Sequence, residues 1–379
     1  MSTVSSASFF DHFAGLEDPR ISRTRLHKFG DVLFIAVCAT LCGANAFTAM
    51  EEFAYSKIDW LKKFLELPNG IPSHDTFRNV FIGITPAGFT ECFMNWVKVL
   101  NVPTKGKIVG IDGKTSRASG SKAKGKKALH TVSAWANEAK LVLGQVATEE
   151  KSNEITAIPK LLQMLELKGA IVTIDSMGCQ KEIAATIRGR EADYVLQVKG
   201  NQEHLEADII DAFATRDEAS ARGRIAQNID AFETSDTKHG RKEHRRCEAM
   251  PVPKTLRNQS EWKDLTSIGR VTRTYEENGV SKSEVRYFIS SLRADAKRMA
   301  EAVRGHWGVE NGLHWVLDMA FGDDRNRTLS GDAPENLATL RRWLLSLLRQ
   351  DKSHRGGVES KRLQMGWNET YLEAILGLD

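Results

Sequence analysis

The chain has 379 residues, 41% hydrophobic and 27% charged, with a net charge of +4. That length supports two or three cores, and the composition excludes a disordered or fibrous chain. Five cysteines without a CxxC pair argue against a disulfide framework or a cysteine zinc site and favour a reducing cytoplasm, and no segment reads as a signal or a membrane span.

Residues 1–102 read as helical. An apolar stretch at 32–46 predicts a buried helix, and positions through Phe64 keep a helical period until Pro68-Asn69-Gly70. Ser73 suits an N-cap for a helix over 74–82, and Thr85-Pro86 opens the next. Such a pair is either a helix-turn-helix DNA reader or a plain helical hairpin.

The pattern changes after Pro103. Strands are predicted at 107–112 (KIVGID), 130–137 and 141–148, then a helix at 157–167 with Pro159 in its first turn. A strand at 170–174 ends at Asp175. A helix at 180–188, a strand at 194–198 and a helix at 205–213 follow. Three strands and then alternating helices and strands are what a ribonuclease H-like α/β fold requires. Residues 225–291 read as a β insertion, with Asn278-Gly279 as a hairpin turn. Asp295 caps a helix to about 304, a second helix at 308–320 carries Glu310, and a third covers 336–349. This divides the chain into a helical region 1–102, a catalytic domain 103–350 with an insertion at about 218–292, and a tail 351–379.

Asp112 and Asp175 each follow an apolar run and are read as strand ends, where sites form in open sheets. In this strand order the two ends are neighbours, and two such aspartates can share a divalent cation through oxygen. GIDGKT at 110–115 is not a Walker A loop, because Ile108 stands where the first glycine belongs. In RGHWGVENGLHWVLD at 304–318, His306, Glu310 and His314 are four apart, near one helix face. They lack the H-E-x-x-H spacing of a zinc helix, so Glu310 reads as a third carboxylate; the histidines orient it, contact phosphate, or are ordinary hydrogen-bonded polar residues of a packed helix. Asp318, Asp323 and Asp324 compete for that place. Basic clusters fit a polyanion: Lys122, Lys124, Lys126 and Lys127 in a Gly/Ser-rich loop expected to be mobile, KHGRKEHRR at 238–246 with Arg241 and Arg245, and Arg341, Arg342 and Arg349 on the late helix. With Lys114, Lys199, Arg304, His306 and His314 they complete the expected phosphate track.

The stretches FFDHFAGLEDPR (9–20), PSHDTFRNVF (72–81), IDGKTSR (111–117), IDSMGCQKEIA (174–184), YVLQVKGNQ (194–202) and HWGVENGLHWVLDMAFGDDRNR (306–327) span nearly the whole chain in order. Together they resemble the DDE transposases of bacterial insertion sequences, closest to the H-repeat-associated group. The resemblance implies a ribonuclease H-like catalytic domain, a helical N-terminal region and a β insertion. It also implies Asp112, Asp175 and Glu310 as catalytic residues, holding two Mg²⁺ (or Mn²⁺) ions per active site. The expected partner is double-stranded DNA, element end and target, bound by a homodimer, with no membrane. Many relatives carry tyrosine, arginine and lysine around the glutamate; here those places hold Val303, His306 and Leu317. The helper roles then fall to Arg304, His306, Asn311 or His314. The rival readings are a nuclease of the same fold without strand transfer and a non-catalytic DNA-binding descendant.

Overall fold

A computed structural model describes residues 9–148, 153–222, 229–238, 241–277 and 280–378. The N-terminal third is helical: α1 (Phe29–Leu41), α2 (Phe47–Ser56), α3 (Ile58–Leu61), α4 (His74–Gly83) and α5 (Pro86–Val99). Helix α1 is apolar on nearly every side and is buried from Asp31 to Leu41. Ser73 caps α4 by accepting from the Thr76 amide. Helix α5 buries Phe89, Phe93 and Trp96 against Trp343. The face of α5 used this way is closed to a DNA groove; Glu91, Asn95 and Lys98 stay exposed on its other side, as do His74, Asp75, Arg78 and Asn79 on α4.

The middle of the chain builds one sheet in the order β3-β2-β1-β4-β5-β9-β8-β7-β6. Its first half is β1 (Ile108–Ser116), β2 (Leu129–Ala136), β3 (Leu141–Thr148), β4 (Ile171–Ile174) and β5 (Asp193–Val198). The first three strands are antiparallel, and β1, β4 and β5 are parallel. This is the ribonuclease H-like arrangement. The β insertion does not form a separate sheet. Its strands β6 (Asp230–Lys238), β7 (Arg241–Pro251), β8 (Ser267–Glu277) and β9 (Val280–Ser290) extend the same one, because β9 pairs antiparallel with β5. The predicted Asn278-Gly279 turn lies outside the described residues.

Helices α6 (Glu154–Met164), α7 (Lys181–Gly189) and α8 (Glu203–Ala221) connect the strands. Helix α6 starts three residues earlier than expected, so Pro159 lies within it rather than in its first turn. The two helices predicted around residue 306 are one continuous rod: α9 (Ala296–Val309), a π-helical turn (Glu310–His314) and α10 (Trp315–Phe321). Helix α11 (Ala333–Gln350) is buried along most of its length. The tail is not loose. Helices α12 (Val358–Trp367) and α13 (Glu369–Leu376) dock on the N-terminal helices, where Arg362 donates to the Thr40 carbonyl and Trp60 to Glu373. No described helix is long and apolar enough to cross a membrane, and all five cysteines are free thiols.

Candidate active site

Strand pairing places the two aspartates. Strands β1 and β4 run parallel with Ile111 opposite Ile174. The next residues, Asp112 and Asp175, therefore leave the pairing side by side. Asp112 does not end its strand. β1 continues to Ser116 because β2 still pairs with it, Asp112 lying opposite Ser133. The alternation of a strand sends Gly110, Asp112, Lys114 and Ser116 to the face that α9 and α10 cover. β4 does stop. Asp175 Oδ1 accepts from the amides of Met177 (3.0 Å) and Gly178 (3.4 Å), which fixes the carboxylate in a capped turn.

Glycines let the helix that carries Glu310 lie close on this part of the sheet. A Cβ on Gly110 would lie 2.4 Å from Val309 Cγ2, one on Gly305 2.8 Å from Ile108, and one on Gly312 2.9 Å from Trp135. Their absence lets the rod lie directly on β1 and β2. Glu310 follows Val309 and opens the π-helical turn, in which its carbonyl accepts from the Trp315 amide, five residues on. Such single-turn expansions recur at functional sites. Here the turn separates the two histidines. His306 Nδ1 meets Thr173 Oγ1 on β4 at 3.2 Å, whereas His314 Nδ1 lies 3.6 Å from Asp112 Oδ2 on β1.

Asp112 is pushed up to about 7, chiefly by burial. The Gly113 amide, donating to Oδ1 at 2.9 Å, opposes the rise, while the carboxylates of Asp175, Glu154 and Glu310 add to it. Burial lowers His306, and it lowers His314 to about 3 with help from the Arg342 and Lys114 charges. Both imidazoles are therefore neutral at pH 7 and offer no cation to a phosphate. A cleft of about 210 Å³ is lined by Asp175, Lys199, Arg286, His306, Trp307 and Glu310 among others. Among the described residues, no three acidic, histidine or cysteine side chains are drawn together closely enough to form a ready metal cage.

Glu154 was not anticipated. It is buried, 2.6 Å from His130 Nε2, and it fills the space beside Gly113 on the opposite face of β1. The one available signal was Gly113 itself, since a glycine inside a strand marks a close neighbour.

The other expected site residues divide sharply. Lys114 is buried and bridges Asp318 (2.8 Å) and Asp324 (3.2 Å), so it faces inward and not toward a phosphate. Asp323 is fully buried between Arg341 Nη1 (2.8 Å) and Ser116 Oγ (2.7 Å). All three competing aspartates are thus committed to internal pairs. Arg341 and Arg342 are buried, Arg342 donating to Ser133, and Arg349 reaches the Gly312 carbonyl, so these arginines are no outer track. Arg245 pairs with Asp236 and Glu243, and Arg304 with Asp236. Asn311 donates to the Trp307 carbonyl of its own helix. The side chain of Arg241 lies outside the described residues. Lys124, Lys127 and Lys199 are exposed. The loop expected to be mobile is folded, with turns at Arg117–Ser119 and Lys122–Lys124, a bridge between Ser121 and Lys126, and Lys126 donating to the Leu329 carbonyl.

A family model described as "Transposase DDE domain" matches residues 103–347, and one described as "DDE_Tnp_1-associated" matches residues 10–97. The chain belongs to the DDE transposase family. It is 40% identical to "Putative transposase YncI" of Escherichia coli O157:H7, over 98% of this chain and 95% of that one. It is 36% identical to "H repeat-associated putative transposase YhhI" of Escherichia coli K12, over 97% of each. A solved piggyBac transposase synaptic complex with hairpin DNA aligns with 97% of this transposase and 75% of that chain, at 10% identity and a TM-score of 0.45. That likeness is too loose to carry weight.

Proposed function

We propose that this transposase cleaves DNA phosphodiester bonds and joins the freed 3′ end to target DNA, with Asp112, Asp175 and Glu310 as its metal-binding carboxylates. The observation that supports this most is the register: Ile111 lies opposite Ile174, so Asp112 and Asp175 follow paired residues, and Glu310 lines one cleft with Asp175. The donor set fits Mg²⁺ or Mn²⁺, both of which prefer hard oxygen ligands. The elevated Asp112, crowded by other carboxylates, is a site that a divalent cation would relieve. Asp112, Asp175 and Glu310 would hold the ions between them. Bound there, the metals would activate the attacking oxygen and stabilise the leaving one.

The chain's own groups do the positioning. Lys114 and Asp318 tie the strand of Asp112 to the helix of Glu310. Thr173 and His306 tie that helix to β4. Neutral His314 steadies Asp112 without competing for a phosphate. Lys199 and Arg286 stand in the cleft with Asp175 and Glu310, where a scissile phosphate would be held. Concerted cutting at two element ends requires two copies, so the active form is a dimer on DNA.

The test is cleavage and joining on duplexes carrying the flanking element ends with Mg²⁺, comparing native protein with Asp112→Asn, Asp175→Asn and Glu310→Gln. Native protein should nick and join, while each variant binds DNA and does neither. Cutting without joining would favour a nuclease, and binding without cutting a non-catalytic descendant.

A further inference from the structure

A second groove, of about 570 Å³, lies between the N-terminal helices and the segment that follows α10. Its lining includes His74 and Arg78 of α4, Thr48, Met319 of α10, Arg325 and Arg327, and it contains no acidic residue. Arg325 and Arg327 are exposed, and their side chains make no hydrogen bond or ion pair among the described residues. Arg78 donates to Ser330 at 3.4 Å, which anchors the groove's far wall. The loop after β1 leans on the same segment, Arg117 pairing with Asp324 (3.4 Å) and Lys126 with the Leu329 carbonyl. Three stretches far apart in sequence thus converge on one surface, where Arg78 also pairs with Asp75 (3.7 Å) and His74 with Glu51 (2.7 Å), so that Arg325 and Arg327 carry its unpaired positive charge.

We propose that this groove seats the phosphate backbone of duplex DNA beside the cleavage site, with Arg325 and Arg327 as the principal contacts and Arg78 as their support. The proposal rests on the transposase reading and adds to it a surface separate from the carboxylates. Met319 lies nine residues beyond Glu310 on the same rod. At about 1.5 Å per residue that is roughly 13 Å, or about four base pairs of duplex. For a duplex lying along the rod, the gripped phosphates would fall about four base pairs from the bond that is cut. Unpaired arginines suit this contact because binding breaks no existing bridge, and each phosphate neutralised releases counterions.

The experiment measures fluorescence anisotropy of a labelled duplex carrying the element end, with full-length protein in EDTA, across a range of salt. Arg325→Gln/Arg327→Gln should weaken binding about tenfold or more and lower the salt slope by about 2. Arg325→Lys/Arg327→Lys should keep the native slope, which separates charge from folding. Arg222→Gln, just past the end of α8 and outside the groove's lining, should match native protein. Neutral methylphosphonate linkages about four base pairs from the cut should weaken native binding but not that of the glutamine variant. An unchanged slope in the glutamine variant, while native protein binds and cuts, overturns the groove and leaves the transposase reading standing. Unchanged DNA affinity with lost self-association assigns the surface to a second copy and overturns the proposal. Failure of native protein to bind any duplex sinks the transposase reading itself.

Discussion

Gly110→Ala tests whether close packing of rod on sheet sets the position of Glu310. The added methyl would stand 2.4 Å from Val309 Cγ2, with its next neighbours, the His306 carbonyl and Thr173 Oγ1, at an ordinary 3.7 Å. Carbon atoms settle at about 3.5 Å or more, so the rod or the strand must give by about 1 Å. Overpacking of that size costs about 1–3 kcal/mol. The residue pushed is the immediate neighbour of Glu310, and a misplacement of about 1 Å near reacting groups can cost on the order of 100-fold in rate. Gly110→Ala should thus lose stability modestly and cleavage severely. Val309→Ala alone creates a small cavity and costs about 2 kcal/mol. In Gly110→Ala/Val309→Ala the new methyl occupies that cavity, so the double variant should be more stable than the two single losses predict, by about 1–2 kcal/mol. Its cleavage rate should recover at least about tenfold over Gly110→Ala. Urea unfolding gives the first quantity, and single-turnover cleavage of an element-end duplex gives the second. If Gly110→Ala cuts at the native rate, or if removing Val309 Cγ2 restores nothing, contact at this point does not position Glu310.

Lys114→Met leaves Asp318 and Asp324 without their shared cation. Both acids retain some solvent, so the cost should fall near the lower end for a broken buried pair, about 3 kcal/mol, and a cycle with Asp318→Asn should show coupling above about 1 kcal/mol in urea unfolding. Burial would raise Asp351, but Lys361, Ser353 and Tyr371 hold it well below the ordinary range. Its stabilisation is therefore complete above the unfolded value, roughly pH 4, and fades as pH falls further. Asp351→Asn should unfold more easily at pH 7 by about 3 kcal/mol and lose that acid-dependent slope, as thermal melts against pH would reveal. Asp112 has the opposite sign. Its folded value, about 7, lies above the unfolded one, so without metal the fold keeps a proton and this contribution to stability is lost as pH rises through that window. A divalent cation must displace the proton, so Mg²⁺ affinity should climb up to about pH 7 and flatten above it. Calorimetry in buffers of different ionisation heat should find proton release at pH 6 and little at pH 8; equal release at both would contradict the assignment.

Much of the sheet could be read from local pattern. Apolar runs ending in Asp112 and Asp175, in that order of strands and helices, were enough to make the two aspartates neighbours, and the structure places them so. The end of β1 was misjudged because Gly113-Lys114-Thr115 looks like a turn, yet pairing with β2 carries the strand on to Ser116. Pairing across the sheet is not a local property. Basic residues were misread for a related reason. Charge is visible in sequence, but its partner is not: Lys114 and Asp318 lie 204 residues apart. The π-helical turn left no signature in residue type. The glycines before and within it did, since Gly305, Gly308 and Gly312 recur at helical spacing on the face that meets the sheet.

The distribution of ion pairs also bears on where DNA can lie. On the β insertion, four arginines of β7 and β8 are matched by acids: Arg245 with Glu243, Arg246 with Glu233 and Glu248, Arg270 with Asp217 and Glu248, Arg273 with Glu243. A phosphate arriving there must first displace a carboxylate, and the displaced charge would then repel it. Exposed pairs are individually weak, so such exchange is possible, but a paired arginine contributes less net attraction than a bare one. The region around Arg325 and Arg327 reverses this balance. Asp318 and Asp323 are turned inward to Lys114 and Arg341, and Asp324 is shared between Lys114 and Arg117, which leaves Arg325 and Arg327 uncompensated. The same short stretch of sequence thus neutralises the interior with its aspartates and presents its arginines outside. Reversing that partition, with Asp318→Asn to free Lys114 inward and Arg325→Gln/Arg327→Gln to remove the outward charge, should therefore separate two losses. The first should reduce stability with little change in salt slope, and the second should reduce salt slope with little change in stability.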